Sequence, residues 1–298
     1  MNRFLAKIPE HKKGLVYVSF TAFLWSSSGL FIKILKVSAF HIGFYRSGIA
    51  AITVLIISLI RNKSLRKSVQ FDTTTIIASI FFSGILILFV MATKMTTAAN
   101  AIFLQFTAPV YLLILEPLFL KIKFEKKNLI TISVTVCGMI LFFFGRLELG
   151  NIYGNLLAIV SGICFAMFSL LLRKKRTSEN QESGLSSIIL GNALVAVICF
   201  FLIYPDFSLT LSQSLILLYM GIFQIGISYA IFNEGIKYVS ATESMIIATL
   251  EAIFNPIWVF IGIGETPSIY AIFGAVIIMI AILWRSLSGK DEKIGLID

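Results

Sequence analysis

The sequence predicts an all-α integral membrane protein with ten transmembrane helices, arranged as two inverted five-helix repeats. Three observations lead there. The 298 residues are 58% hydrophobic and 13% charged, with a mean hydropathy of +0.93, whereas soluble domains carry about 25% charged residues. The apolar residues fall into ten runs of the length a bilayer requires, because roughly 30 Å of hydrocarbon takes about 20 residues at 1.5 Å each. The order of the runs also repeats once, with the Lys and Arg of the loops exchanged between sides. Membrane-barrel strands would instead be about ten residues long with strict alternation.

The elements follow in order. A basic tail with Arg3, Lys7, Lys12 and Lys13 precedes the first run, near 15–35, with no Ala-x-Ala-like cleavage site, so that run reads as an uncleaved span. It carries Trp25 beside Ser26, Ser27, Ser28 and Gly29, a small-residue face suited to helix packing, with Trp25 lining a cavity as the other reading. The second run (39–60) holds Arg46, the third spans 74–93, the fourth (97–120) holds Asn100, Gln105 and Pro109, and the fifth spans 128–145. The second half repeats this order near 152–172, 185–204, 212–233 with Gln224, 240–262 with Glu251, Asn255 and Pro256, and 267–285. The repeats therefore cover 14–146 and 151–286, with tails at 1–13 and 287–298. Aligning Gly14 with Gly154 sets Trp25 on Phe165 and Lys33 on Arg173; a register three residues longer sets Thr97 on Ser240 and Ile102 on Met245.

Charge orients the spans, since Lys and Arg resist translocation. With both termini in the cytoplasm, twenty of the 25 Lys and Arg fall inside, and Lys33, Lys36, Lys94 and Arg146 fall outside. The loop after the second span is basic in the first copy (Arg61–Lys67) and has no Lys or Arg in the second (Tyr204–Thr210); the loop after the first span shows the reverse, with Arg173–Arg176 in the second copy. An odd number of spans with this reversal means inverted topology. The net charge of +10 is then mainly a topology signal with some attraction to anionic lipid, and its scattered short clusters give no nucleic-acid face.

Charged and amide groups inside a bilayer are expensive and need a partner, a cavity or a task. Arg46 lies about 10 Å from one face and Glu251 about 16 Å from the other at 1.5 Å per residue, so they can share a layer with Gln105 and Gln224. Asn100 and Asn255 sit nearer the outer face. Together with Trp25, these residues form a candidate substrate site for an amphoteric solute, with Glu251 also the candidate proton-coupling group. The alternative is structural: an Arg46–Glu251 ion pair and interhelical bonds from the two glutamines. Pro109 and Pro256 are expected to kink the fourth and ninth spans, and Glu116 to pair with Lys121 or Lys123. Cys137, Cys164 and Cys199 each sit in a separate apolar run with no disulfide framework or metal spacing. No cofactor or metal is expected.

Leu24-Trp25-Ser26 with Lys33, Phe44-Tyr45-Arg46, Thr97-Ala98-Ala99-Asn100-Ala101 through Pro109, Ser240-Ala241-Thr242, Ala248-Thr249-Leu250-Glu251 and Gly264-Glu265 together resemble the drug/metabolite transporter superfamily, in particular its ten-span EamA-type members. The resemblance covers about residues 14–286. It implies a central cavity surrounded by spans one to four and six to nine, with five and ten peripheral, and secondary carriage of amino acids, other metabolites or toxic compounds. Two departures stand out: Ala252 occupies the place after Leu-Glu where the family often has proline, and Lys121-Ile122 stands where the first half would repeat Gly264-Glu265.

The expected function is thus a secondary active transporter of small organic solutes, exporting amino acids or related metabolites by alternating access and coupled to a proton or solute gradient. An importer or facilitator is the alternative. No G-x-x-x-x-G-K-[ST] run supplies ATP binding. An intramembrane enzyme would need a nucleophile–base or metal cluster, and the two histidines, His11 in the tail and His41 at an interface, have no paired acidic motif. A structural or receptor subunit is the remaining class. The expected location is a bacterial inner membrane, with the chain a monomer or homodimer.

Overall fold

The computed structural model describes residues 9–120, 126–144, 149–177, 184–239 and 241–288, and all regular structure among them is helical. The first run forms α1 (Glu10–Trp25) and α2 (Ser28–Ile34), the second α3 (Ala39–Asn62) followed by the single turn α4 (Leu65–Ser68), and the third α5 (Thr73–Met95). The fourth splits into α6 (Ala98–Gln105) and α7 (Ala108–Leu120), and the fifth is α8 (Lys126–Phe144). The second half contains α9 (Leu149–Thr177) and α10 (Gly184–Ile203), then α11 (Leu211–Tyr219), a π-helical segment Met220–Ile227 and α12 (Ser228–Gly235). It ends with α13 (Ala241–Ala248), α14 (Leu250–Ile263) and α15 (Ile269–Ser288). Among the described residues, eight of the ten expected spans are long and apolar enough to cross a membrane, and α8 and α15 contribute the shorter apolar stretches Leu129–Gly138 and Ile269–Trp284. Arg146, the expected pairing of Glu116 with Lys121 or Lys123, and the ends of both tails lie outside the described residues.

Helix ends are set by short polar side chains that satisfy backbone N–H groups left over in the first turn. Ser38 accepts from His41 N (3.3 Å), Asp72 from Thr75 N (3.0 Å) and Thr97 from Asn100 N (3.1 Å). Thr210 and Gln213 bond reciprocally at the start of α11, closing a capping box. At the other end of α14, Gly264 takes a φ of +68°, the left-handed conformation that glycine alone adopts without a Cβ penalty.

The breaks within spans have identifiable causes. Ser26 and Ser27 donate to the carbonyls of Phe23 and Leu24, three residues back, where α1 gives way to α2. Thr107 does the same to Leu104 (2.6 Å) and Thr249 to Ile246 (2.5 Å), offering the backbone an alternative to the helical ladder. Pro109 lies just past the first of these breaks, as the second residue of α7. Pro256 lies inside α14, and the ninth span breaks two turns earlier, at Thr249. The hydroxyl marks the break in both halves; proline accompanies it only in the first.

The largest packing interfaces join one half to the other: α5 with α9, α3 with α10, α8 with α15, α1 with α12, and α3 with the π segment. Glycines permit the approach. A Cβ on Gly14 would lie 2.8 Å from Val239 Cγ1, and one on Gly154 would lie 2.9 Å from Thr96 Cβ, so two residues that align in sequence make equivalent close contacts across the halves. Along α3 and α10, Gly43 faces Cys199 and Gly48 faces Ala196, while Ser186 donates to Ser68 O beyond the far end of α3. These corresponding helices therefore run antiparallel. The outward faces carry exposed Phe20, Phe23, Ile52, Ile56, Ile60 and Phe201, an apolar surface that hydrocarbon, not water, covers. Among the described residues, none of α8 or α15 lines the central cavity.

Candidate functional site

A narrow central cavity of about 370 Å³, open space at its mouth included, lies between the two halves. Of the seven residues expected at a substrate site, five line it: Trp25, Arg46, Gln105, Gln224 and Glu251. Asn100 and Asn255 do not. Asn100 bonds to Thr96 Oγ1 and Asn155 Oδ1 (3.4 and 3.2 Å) at the Lys33 end, a junction between α5, α6 and α9. Asn255 stands one step behind the wall, donating to Ser28 Oγ (3.1 Å), and Ser28 in turn donates to Glu251 Oε1 (3.3 Å).

The irregular backbone places these groups. Trp25 ends α1 and donates from Nε1 to Ser228 Oγ (2.8 Å), which itself donates to Gln224 O. Its ring packs on Tyr229 and Phe232, with centroids 4.5 and 5.3 Å away. Gln105, the last residue of α6, donates to Ser161 Oγ (2.7 Å), and Gln224 in the π segment donates to Ser27 Oγ (3.1 Å). Both glutamines therefore join helices of different halves, as the structural reading expected. Gln224 Oε1, however, is buried without a partner.

Arg46 is 1% exposed, donates from Nη2 to Leu86 O (3.2 Å), and leaves Nε without an acceptor. Glu251 is 5% exposed, and Ser28 is its hydrogen-bond donor. Among the described residues the ion pairs are Lys33–Glu265, His41–Asp206, Arg61–Glu234, Lys237–Glu234 and Lys175–Asp72, so Arg46 and Glu251 do not pair with each other. Tyr229 is within electrostatic reach of both. A buried guanidinium, a buried carboxylate and a free amide oxygen face one space. Of these groups, Arg46 Nε and Gln224 Oε1 have no partner, which costs about 1–3 kcal/mol each, more when charged.

Ser28, Phe89, Phe165 and Tyr229 also line the cavity, and sequence reasoning had assigned none of them to it. Among the described residues there is no cluster of three or more His, Cys, Asp or Glu able to hold a metal. His41 instead sits at the start of α3, with Nδ1 2.7 Å from Ser38 Oγ and Nε2 3.1 Å from Asp206 O.

Polar ties join the halves at both ends of the helix bundle. At one end Lys33 pairs with Glu265 (3.0 Å) and donates to Thr96 O (2.8 Å), Glu265 accepts from Ala98 N (2.7 Å), and Lys94 donates to Leu35 O (2.5 Å). At the other, Arg61 pairs with Glu234 (2.8 Å), Arg173 donates to Ile236 O and Lys237 O (2.7 and 2.9 Å), and Lys175 meets Asp72 and Thr75. Partial burial pushes the Asp72 carboxyl up, but hydrogen bonds from Lys175 and Thr75 outweigh it and hold the group at about 2. Because that value is depressed, the tie is complete above the ordinary carboxylate range and is lost as pH falls toward 2.

Helices that span a membrane around a cavity with charged and amide groups in its wall suit an integral membrane transporter, and the comparisons with known proteins establish that class. The chain matches the EamA-like transporter family over residues 12–144 and 152–287 and belongs to that family. It is 24% identical over 257 residues to the uncharacterized transporter YyaM of Bacillus subtilis, covering 81% of this chain and 82% of that protein. It is 23% identical over 295 residues to Solute carrier family 35 member G1 of Mus musculus, covering 92% and 80%. An uncharacterized transporter of Clostridium kluyveri is 24% identical over 304 residues, covering 95% and 96%. A crystal structure of a protein superposes with a TM-score of 0.69 at 16% identity, covering 93% of this chain and 99% of the other, a likeness of fold.

Proposed function

We propose that this transporter is a secondary active carrier that exports amino acids or related small metabolites across a bacterial inner membrane by alternating access. The observation that carries the reading is the central cavity: Arg46 with a free Nε, Gln224 with a free Oε1 and the buried carboxyl of Glu251 line one space between the halves. A guanidinium suits a carboxylate, and a carboxylate with an amide oxygen suits an ammonium. Trp25 and Tyr229 supply apolar walls. Asn255 positions Ser28 against Glu251, and Asn100 braces the junction at the Lys33 end.

Repeats 14–146 and 151–286 are the moving units, ten spans in inverted orientation, with the Arg61 end and both termini in the cytoplasm. The equivalent contacts of Gly14 and Gly154 and the antiparallel course of α3 and α10 support this arrangement. Glu251 takes up and releases the coupling proton: protonated, it leaves the cavity without an anionic group for the solute's ammonium, and deprotonated it provides one. The test is uptake and counterflow in proteoliposomes across a panel of amino acids and metabolites. A proton gradient should drive movement of at least one of them, and Glu251→Gln should remove the gradient dependence and raise the solute concentration needed for exchange. Gradient-driven flux unchanged in Glu251→Gln would overturn the coupling role, and no flux of any solute would overturn the carrier.

A further inference from the structure

A second cavity, a groove of about 600 Å³ with open space included, lies on the membrane-facing side at the Arg61 end. Its floor is Ile227, Ala230 and Ile231 of the eighth span, its walls are Tyr17 of α1 and Ile57 of α3, and Arg61 and Glu234 stand at its mouth. The groove lies where α1 and α3 each pack on the eighth span, which stands between them. The outward residues beside it, Val16 and Phe20 on α1 and Ile56 and Ile60 on α3, are all at least half exposed and face hydrocarbon. At the mouth, Arg61 and Lys237 share one carboxylate, Glu234, at 2.8 Å each, and Arg61 keeps 47% of its side chain exposed. The floor is apolar and opens to lipid, while among the described residues Arg61 at the mouth and Lys237 beside it stand against Glu234.

We propose that this groove binds one anionic phospholipid, its phosphate on Arg61 and an acyl chain along Ile57, Ile227 and Ile231. Charge complementarity selects the headgroup: a zwitterionic lipid cancels the surplus cation no better than water, while a phosphate with net negative charge does. The floor gives the lipid a route to function. Ile227 closes the π segment, and the opposite face of the same stretch carries Gln224 and Tyr229 into the central cavity. An acyl chain filling the groove supports the π segment from behind and holds the cavity wall in place.

The test uses the purified full-length protein in native mass spectrometry with equal phosphatidylglycerol and phosphatidylcholine. One retained phosphatidylglycerol is expected, preferred about fivefold, as a single surface cation confers. Arg61→Gln should erase the preference, and Arg61→Lys should keep it. Ile57→Trp, which fills the groove, should lower retention of both lipids, whereas Ile60→Trp on the outward side of α3 should not. Equal retention of the two lipids by the native protein, or an undiminished preference in Arg61→Gln, would overturn the site; equal losses in Ile57→Trp and Ile60→Trp would overturn its location.

Discussion

At the scale of single residues, Arg46 works through its shape as much as its charge. Nη2 holds the Leu86 carbonyl while Nε is buried without a partner, so in the proposed carrier one guanidinium can brace the wall and meet a solute, a division that lysine's single ammonium cannot make. A hydrogen bond to a charged group contributes about 1.5–3 kcal/mol, so Arg46→Lys should raise the solute concentration for half-maximal flux by roughly tenfold or more; an unchanged value would make Arg46 a packing residue. Gly29 acts by what it lacks: a Cβ there would lie 2.2 Å from Asn255 Oδ1. Gly29→Ala should force α2 from α14 and cost about 1–3 kcal/mol, seen as a lower Tm, together with a loss of flux as Ser28 leaves Glu251. The polar residues at this site were legible because a bilayer penalises them wherever they stand. Tyr229 was not, for a geometric reason. Five residues of α-helix separate Gln224 and Tyr229 by about 140°, and the π segment that runs from Met220 to Ile227, with its i to i+5 repeat, narrows that separation so that both line the cavity.

At the scale of elements, the breaks in the fourth and ninth spans separate two causes that sequence reading merged. Proline drew attention because it cannot donate to the helical ladder, yet α14 runs through Pro256 and the ninth span breaks at Thr249. The Thr249 hydroxyl bonds the Ile246 carbonyl, as Thr107 does with Leu104, and Glu251 follows directly, turned toward Ser28. Thr249→Val removes the bond while keeping the volume nearly constant. It should let α13 and α14 merge, carry Glu251 off the cavity wall and reduce flux severalfold, whereas Pro256→Ala should leave flux near normal. Paired initial-rate measurements on the two variants check this, and a larger loss from Pro256→Ala would restore proline as the cause. Threonine is common in apolar helices, where the same bond produces only a mild bend. The sequence pattern alone therefore could not rank Thr249 above Pro256.

At the scale of the whole molecule, the repeat was legible as loop charge and segment order, while the interlocking of the halves was not. α5 lies in the partner half's contact with α9, and α12 in that with α1, contacts that join segments far apart in sequence and leave no periodic trace. Once they are in place, the two ends can be compared as equivalents. Lys33 donates to the carbonyl that ends α5, and its aligned partner Arg173 donates to the carbonyls that end α12. The carboxylate breaks the equivalence: Glu265 ties Lys33 to the Ala98 N–H, and the aligned position in the first half is Ile122. The end assigned to the outside thus has an ionic tie among the first, fourth and ninth spans that the sequence does not repeat at the aligned position. A contact made in only one of two alternating states biases the equilibrium toward that state. Glu265→Gln and Lys33→Met should therefore each shift the transporter toward opening at the Lys33 end. A cysteine introduced in place of Ser28 should become more reactive toward a membrane-impermeant thiol reagent added outside, with similar shifts in both single variants and in the double variant, since the pair acts as one tie. Additive shifts would mean that Lys33 and Glu265 act through separate contacts, and unchanged labelling would remove the tie from the gating step.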